Sequence, residues 1–251
     1  YEDYPTKDLD GLWKTVLINQ FHDIIPGSSI NLVYQTTHAE YEKVHQECDR
    51  LMNESARMLF KEDPDSFVLA NTLSYIWKGA IKIPESFEGY ELLGPNDDTV
   101  PLQKTDEGVM ASVDLDPLSF TTFKKGNTLT LDGQRSDTLL LENDLIKYEF
   151  DGKGSLISTY DKELEREFMS GPGNVLSLYE DRPNNWDAWD VDFFYRDALI
   201  ETAEVTESLS ISDGDVVKQL RFVFKIGHST IEQIVSLNPH SKRLDFLTQV
   251  D

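Results

Sequence analysis

The spacing of the apolar residues changes once along this chain, and that change limits the fold more than any other feature. Up to about residue 64, apolar side chains recur every three or four positions, which is the spacing of one helix face. From Phe67 onward they alternate with a period of two, which is typical of strands covered on one side. Because helices and strands are not interleaved, we predict an α+β chain whose helical segment precedes its sheets.

Two helices are indicated in the first segment. Pro26-Gly27 interrupts the helical spacing, as such dipeptides do in turns, and Asp63-Pro64-Asp65 closes the segment. The stripe after the turn extends over about 25 residues and predicts a helix about 40 Å long. We expect a three-helix-bundle-like segment. The first stripe consists of Leu9, Leu12, Trp13, Val16, Leu17 and Phe21, and the second of Tyr34, Tyr41, Val44, Cys48, Leu51, Ser55 and Met58.

The remainder of the chain is divided into short apolar runs by turn residues such as Asp151-Gly152-Lys153-Gly154 and Ser212-Asp213-Gly214-Asp215. Many short strands without intervening helices predict mainly antiparallel β-sandwich units. The expected strands are residues 67–70, 80–83, 109–113, 120–123, 138–141, 145–150, 156–160, 175–179, 216–224, 230–237 and 244–250.

Three domains are expected from these patterns. They are a helical domain over residues 1–64, a small β-sandwich over 65–133, and the N-terminal part of a larger, truncated β-sandwich over 134–251. The polar, glycine-containing stretch 126–136 marks the second boundary. Because the chain starts at Tyr rather than Met and ends inside an alternating run, we expect it to be an internal segment of a longer polypeptide.

Composition narrows the classes of partner. Acidic residues outnumber Lys and Arg by 46 to 23, and the net charge of −23 disfavours nucleic acid and anionic membrane surfaces. No apolar run approaches the length of about 20 residues that a membrane-spanning helix needs. A neutral ligand such as a sugar remains compatible with this charge. Cys48 is the only cysteine, which excludes an intrachain disulfide and agrees with a cytoplasmic location. An oligomeric assembly is left open.

The histidines are the candidates for metal chemistry, because the His-Glu-x-x-His, P-loop and Cys-x-x-Cys motifs are absent. His38 and His45 are about 10 Å apart along the predicted long helix, too far to share one metal, and we expect them at the surface. His22 differs because Asp23 follows it at the end of the first helical stripe. A neutral imidazole is a common zinc ligand, and a carboxylate can accept hydrogen bonds from sugar hydroxyls. From the residues alone, a structural role for this pair stays open.

Four segments resemble glycoside hydrolase family 38, the α-mannosidases. Gln20-Phe21-His22-Asp23 is similar to the signature at the start of that family's middle helical domain. Residues 71–77 resemble its entry into the β region, with Tyr75 in place of the usual Trp. Residues 142–163 resemble the start of its large C-terminal β-sandwich. Residues 183–190 resemble the Pro-x-x-Trp-Asp-Ala-Trp-Asp motif of one branch of the family. The matches span nearly the whole chain in the expected order.

The resemblance implies a zinc-dependent, retaining exo-α-mannosidase that removes terminal α-mannose from oligosaccharides or glycans. His22 matches one of the family's four zinc ligands, two histidines and two aspartates, and Asp23 matches a carboxylate that binds the sugar. The other ligands and the nucleophilic aspartate belong to an N-terminal catalytic domain of the same polypeptide, which we expect before Tyr1. No catalytic residue is therefore assigned within the chain, and the chain alone is expected to be inactive.

A second group of site candidates lies in the tryptophan-containing motif. Indole faces pack against sugars and carboxylates accept hydroxyl hydrogen bonds, so Trp186, Asp187, Trp189 and Asp190 are interpreted as substrate-binding residues. The alternative is that the two tryptophans fill a seam between domains while the aspartates cap turns. At the level of function, the alternative to an enzyme segment is a non-catalytic carbohydrate-binding or scaffolding β-sandwich module.

Overall fold

The computed structural model describes residues 4–251, and in them two α-helices come first, α1 (Thr6–Asn19) and α2 (Asn31–Leu59). Short 3-10 helices occupy Glu85–Phe87 and Phe193–Asp197. The strands are β1 (Ser66–Asn71), β2 (Trp77–Lys82), β3 (Tyr90–Leu93), β4 (Thr99–Val100), β5 (Leu102–Thr105), β6 (Gly108–Leu115), β7 (Ser119–Thr128), β8 (Leu140–Glu142), β9 (Ile146–Phe150), β10 (Leu156–Asp161), β11 (Arg166–Glu167), β12 (Ser177–Tyr179), β13 (Leu199–Thr202), β14 (Glu204–Asp213), β15 (Lys218–Ile226), β16 (Ser229–Leu237) and β17 (Leu244–Val250).

The predicted fold class is confirmed, because a helical segment precedes mostly antiparallel sheets. The chain forms two compact units. One contains both helices together with Asp181–Tyr195, and the other contains Asp63–Glu180 with Arg196–Asp251. Within residues 4–251, neither helix combines the length and the apolar composition that a bilayer crossing requires.

The two helices form a hairpin that buries only part of the predicted apolar stripe. Three of its residues, Trp13, Leu17 and Phe21, remain more than half exposed. The reason is geometric: each helix has a single helical neighbour in this hairpin, and one neighbour covers a narrower face than the stripe presents. The burial of these three side chains therefore differs from the sequence expectation, although both helices form where the spacing places them.

The first half of the β region is built from two antiparallel sheets, with strand orders β1-β7-β3-β4 and β2-β6-β5. Strand β6 alternates between buried and less buried side chains, as a strand with one covered face should. The buried apolar cluster draws residues from both sheets, which is the arrangement of a sandwich. It consists of Ile83, Phe87, Leu92, Val100, Val109, Ala111, Val113, Leu115 and Phe123.

A second apolar cluster lies between the sheets β11-β10-β9-β8 and β14-β15-β16-β17. The predicted turn after β9 requires glycine, because Gly154 has φ +75° and a Cβ there would lie 2.7 Å from the Phe224 ring. In sequence, the buried residues of the two clusters lie before and after residues 126–136. The domain boundary predicted at these residues stays a prediction. The second cluster consists of Leu141, Ile146, Tyr148, Phe150, Leu220, Phe222, Phe224, Ile231, Val235 and Leu237.

Candidate functional site

His22 and Asp23 lie in the connection between the two helices rather than on a helix face. Helix α1 ends where the Gln20 amide donates to the Val16 carbonyl at 3.0 Å. The chain then turns around Phe21, whose carbonyl accepts from the amides of Ile24 and Ile25 at 2.8 and 3.1 Å. Gly27 follows with φ +84°, a left-handed conformation that favours glycine. We call residues 20–30 the His-Asp turn.

The imidazole of His22 projects from this turn and is largely accessible, with its side chain 73% exposed. Its Nε2 atom lies 3.5 Å from Oδ2 of Asp23. On another side the imidazole contacts the ring of Phe21, with centroids 4.3 Å apart and planes tilted by 41°. A ring bordered by an aromatic side chain and a carboxylate, yet open to solvent, has the accessibility that a metal ligand needs.

The two carboxylate oxygens of Asp23 have different surroundings. Oδ2 faces His22, whereas Oδ1 is buried and accepts no hydrogen bond from residues 4–251. Buried polar atoms are normally satisfied by a partner, because an unpaired one costs about 1–3 kcal/mol. Oδ1 is therefore an acceptor suited to a hydroxyl group or a cation.

The donors of this pair fit part of a zinc site but do not complete one. Imidazole nitrogen and carboxylate oxygen are both zinc ligands, and structural or catalytic zinc takes at least three of them from protein. Among residues 4–251, no three His, Cys, Asp or Glu side chains come together to hold a metal. His38 and His45 are exposed on α2, as their spacing predicts. Any zinc at His22 thus requires ligands beyond the described part of the chain.

The tryptophan motif forms a turn of its own. The carbonyl of Trp186 accepts from the amides of Trp189 and Asp190 at 2.7 and 2.8 Å, and the Asn184 amide donates to Oδ2 of Asp192 at 2.8 Å. Trp186 adopts φ +59°, the left-handed region that side chains other than glycine avoid. The chain thus holds a large aromatic residue in a strained conformation at this position.

All four candidates in this turn are exposed. The exposed fractions are 72% for Trp186 and 64% for Trp189, and Asp187 and Asp190 are also at the surface. The described residues therefore do not bury either indole. The motif belongs to the same compact unit as the helical hairpin, although more than a hundred residues separate the two in sequence. Its substrate-binding role stays a prediction.

Two protein-family models match the chain. The model described as "Alpha mannosidase middle domain" matches residues 1–59, which include His22 and Asp23. The model described as "Glycosyl hydrolases family 38 C-terminal domain" matches residues 141–251, which include the tryptophan motif. The chain belongs to glycoside hydrolase family 38.

Named relatives of this family 38 chain agree with that assignment. It is similar to human "Alpha-mannosidase 2C1", with 24% identity over 256 residues, covering 98% of the chain and 24% of the relative. "Alpha-mannosidase G" of Dictyostelium discoideum is 25% identical over 300 residues, covering 100% of the chain and 27% of the relative. "Alpha-mannosidase" of Saccharomyces cerevisiae is 24% identical over 263 residues, covering 99% and 20%. The chain spans about a quarter of the length of these relatives.

Ser29, within the His-Asp turn, and Tyr34, on α2, form hydrogen bonds that hold this turn of the family 38 chain. The Ser29 hydroxyl donates to the Asp23 carbonyl at 2.8 Å, and the Ser29 amide donates to the Tyr34 hydroxyl at 2.9 Å. Apolar spacing assigns Tyr34 only to the helix stripe and does not predict the hydrogen bonds of its hydroxyl. The adjacent Ser28-Ser29 pair is the available signal, because serines in turns hydrogen-bond to nearby backbone groups.

Proposed function

We propose that the full-length polypeptide carrying this chain is a zinc-dependent, retaining exo-α-mannosidase, and that this chain supplies one edge of its active site. In this proposal His22 is a zinc ligand and Asp23 binds the sugar. The observation that carries it is the exposed imidazole beside a carboxylate whose Oδ1 is buried and unpartnered, within a segment matching the α-mannosidase middle domain. The names of the relatives support an α-mannoside as the substrate class, and we propose terminal α-linked mannose in oligosaccharides or glycans as its form.

Each residue of the pair has a distinct task in this proposal. His22 offers a neutral ring nitrogen to the metal, and its contact with Phe21 restricts the rotation of the ring. Asp23 accepts hydrogen bonds from sugar hydroxyls, which are strengthened by its negative charge. Zinc, when bound, acts as a Lewis acid toward the oxygens that it contacts.

The proposal assigns the bond-breaking residues to other parts of the polypeptide. Retention of configuration requires a nucleophilic carboxylate and an acid/base carboxylate about 5 Å apart. In this proposal the nucleophile belongs to the N-terminal catalytic domain, as the family resemblance implies, and residues 4–251 gather no three-residue metal cluster. We therefore infer that the chain by itself does not hydrolyse mannosides. Measurable turnover of an aryl α-mannoside by the purified 251-residue chain would contradict this inference.

Trp186, Asp187, Trp189 and Asp190 are proposed to bind substrate outside the metal-bound sugar. Both indoles are accessible, so their faces are available to pack against pyranose rings. A cytoplasmic location is the further proposal that the single cysteine favours.

The deciding experiment is the substitution His22→Ala in the full-length protein. Zinc content, measured by mass spectrometry, and hydrolysis of an aryl α-mannoside should fall together, because one of few metal ligands is lost. His45→Ala is the matched control, since His45 is exposed on α2. Unchanged zinc stoichiometry in the His22 variant would refute the ligand assignment.

The exposure of Trp186 also favours a second candidate function, a self-contained carbohydrate-binding module. Titration of the chain with mannose, followed by tryptophan fluorescence, separates the two. Saturable binding without zinc that is abolished by Trp186→Ala would favour the binding module. Absence of such binding, together with zinc loss in the His22 variant, would favour the enzyme segment.

A further inference from the structure

The backbone of the His-Asp turn is held by the hydroxyl groups of Ser28, Ser29 and Tyr34, of which that of Ser28 donates to the Asp23 carbonyl at 3.5 Å. The hydroxyl of Tyr34, in the first turn of α2, accepts a hydrogen bond from the Ser29 amide at 2.9 Å. The same hydroxyl lies 3.2 Å from the Ile24 carbonyl oxygen and 3.4 Å from that of Asp23. The Ser29 hydroxyl donates to the Asp23 carbonyl at 2.8 Å. One side chain of α2 thus bridges both ends of the segment that begins at Asp23 and ends at Ser29.

The other end of the turn is held where α1 stops. Asn19, 4% exposed, donates through Nδ2 to the Thr15 carbonyl at 3.0 Å and to Oε2 of Glu40 at 2.6 Å. Glu40 belongs to α2, so this contact ties the last residue of α1 to the second helix. The three residues between Asn19 and Asp23 are consequently anchored on both sides.

Such anchoring matters because His22 is not on a regular helix. A ligand carried by a connection between helices would lose conformational entropy on binding unless the connection were already ordered. Groups that orient a metal ligand without touching the metal are a usual means of ordering it. Tyr34 satisfies that description by geometry, since its hydroxyl contacts backbone next to His22 and Asp23 rather than their functional atoms.

We propose that Tyr34 is a positioning residue, whose hydroxyl orders the His-Asp turn and thereby sets the direction in which His22 and Asp23 face zinc and sugar. The zinc and the sugar in this inference rest on the proposed function. The ordering of the turn by Tyr34 does not depend on it. The ordering is a property of the metal-free protein and is measured there.

The test compares Tyr34→Phe with Tyr41→Phe in the full-length, zinc-free protein. Tyr41 is two turns further along α2, and its hydroxyl makes no hydrogen bond to residues 4–251, so it is the matched control. In the Tyr34 variant, we expect the Ser29 amide to exchange its hydrogen about tenfold faster, because its acceptor is gone. The ring-current shifts that Phe21 imposes on the His22 ring protons should also shrink. Tyr41→Phe should change neither.

Zinc affinity provides the second readout, measured by competition with a chelator. Tyr34→Phe should weaken zinc binding on the order of tenfold, as loss of groups that orient a ligand does. Ser29→Ala removes the Ser29 hydroxyl and should also weaken zinc binding. Agreement between the two variants would exclude a folding defect specific to one of them. The inference would be overturned if the Tyr34 variant kept the wild-type exchange rate at Ser29 or the wild-type ring shifts of His22. It would also be overturned if the turn were loosened while the zinc affinity stayed at the wild-type value.

The outcomes also separate this inference from the proposed function. If His22→Ala retains full zinc, the ligand assignment fails, whereas the exchange and ring-current measurements still decide whether Tyr34 orders the turn. If His22→Ala loses zinc and Tyr34→Phe behaves as wild type, the proposed function stands and the positioning role falls.

Discussion

The side-chain amide of Gln103 hydrogen-bonds to the backbone of Val217 in both directions, with Nε2 donating to the carbonyl at 2.8 Å and Oε1 accepting from the amide at 3.0 Å. Gln103 also accepts from the Val216 amide at 2.8 Å and donates to the Ser212 hydroxyl at 2.5 Å. One glutamine on β5 is therefore hydrogen-bonded through both atoms of its side-chain amide to the end of β14 and to the β14–β15 connection.

Replacing Gln103 with leucine should destabilise the chain by about 3 kcal/mol, because it removes the acceptor of the Val216 and Val217 amides in a buried place. The free energy of unfolding from urea titration measures this. Gln249→Leu is the matched control, since Gln249 lies exposed on β17 and should change the value by less than about 0.5 kcal/mol. Equal effects of the two substitutions would contradict the importance of the buried amide.

The close approach to Gln103 also requires glycine at position 214. A Cβ on Gly214 would lie 2.4 Å from Cδ of Gln103, so Gly214→Ala must displace that amide from its partners. We expect a loss of about 2–3 kcal/mol in unfolding free energy. Gly152→Ala, in another turn of the β region with nothing within 4 Å, should be nearly neutral. A Gly214 variant as stable as the Gly152 variant would show that the connection moves freely.

The pH dependence of stability should carry a contribution from Glu167. Hydrogen bonds from the Ser158 hydroxyl and from the amides of Met169 and Thr159 lower the pKa of the Glu167 carboxyl to about 2. A pKa depressed in the folded state stabilises the fold above the unfolded value of about 4.3, and this stabilisation is lost as the pH falls toward 2.

Carboxyl NMR titration should therefore find Glu167 ionised at pH 3, where an ordinary glutamate is protonated. In urea titrations, Glu167→Gln should show a weaker decline in stability between about pH 4.5 and 2 than the wild type. Glu165→Gln, on the same hairpin and exposed, should decline as the wild type does. A Glu167 carboxyl that titrates near pH 4 would contradict the hydrogen-bond network.

The left-handed conformation of Trp186 predicts opposite orders of stability at the two tryptophans. At position 186, where φ is +59°, glycine should be more stable than alanine by about 1 kcal/mol, because alanine keeps the steric cost. At position 189, alanine should be more stable than glycine by about 0.5–1 kcal/mol, because glycine loses more backbone entropy there. Unfolding free energies of the four variants measure both orders, and the same order at both positions would contradict the strained turn.

Apolar spacing was a sufficient guide to the helices and to many strands. The long stripe from Tyr34 to Met58 predicted a helix, and α2 extends from Asn31 to Leu59. Strands β6 and β9 were likewise expected, because their buried faces carry apolar residues at every second position. Strand β16 follows the same pattern except at the buried Gln233. In such elements the periodicity of the backbone determines which side chains share a face, so the pattern is local.

Strand β14 was missed for a physical reason. Its apolar residues Val205, Leu209 and Ile211 alternate with polar ones, but Glu207 interrupts the series. The buried positions Ser210 and Ser212 are polar, so only a short apolar run marks the strand. The Ser212 hydroxyl lies among hydrogen bonds to Gln103 and Val217, and these partners allow a polar side chain to be buried. Strand β13 was also missed, because all four of its side chains are exposed and no face is marked by apolar residues.

The candidate site divides in the same way. The sequence alone identifies the motif around His22 and Asp23 and the family to which it belongs, because ligand chemistry depends on residue type. The sequence does not predict three other features. These are the contact of the Tyr34 hydroxyl with the turn, the exposure of Trp186, and the Gln103–Val217 contact, which spans 114 positions. Those features depend on which backbone groups the closed chain brings within hydrogen-bond distance, and neither local spacing nor side-chain chemistry encodes that proximity.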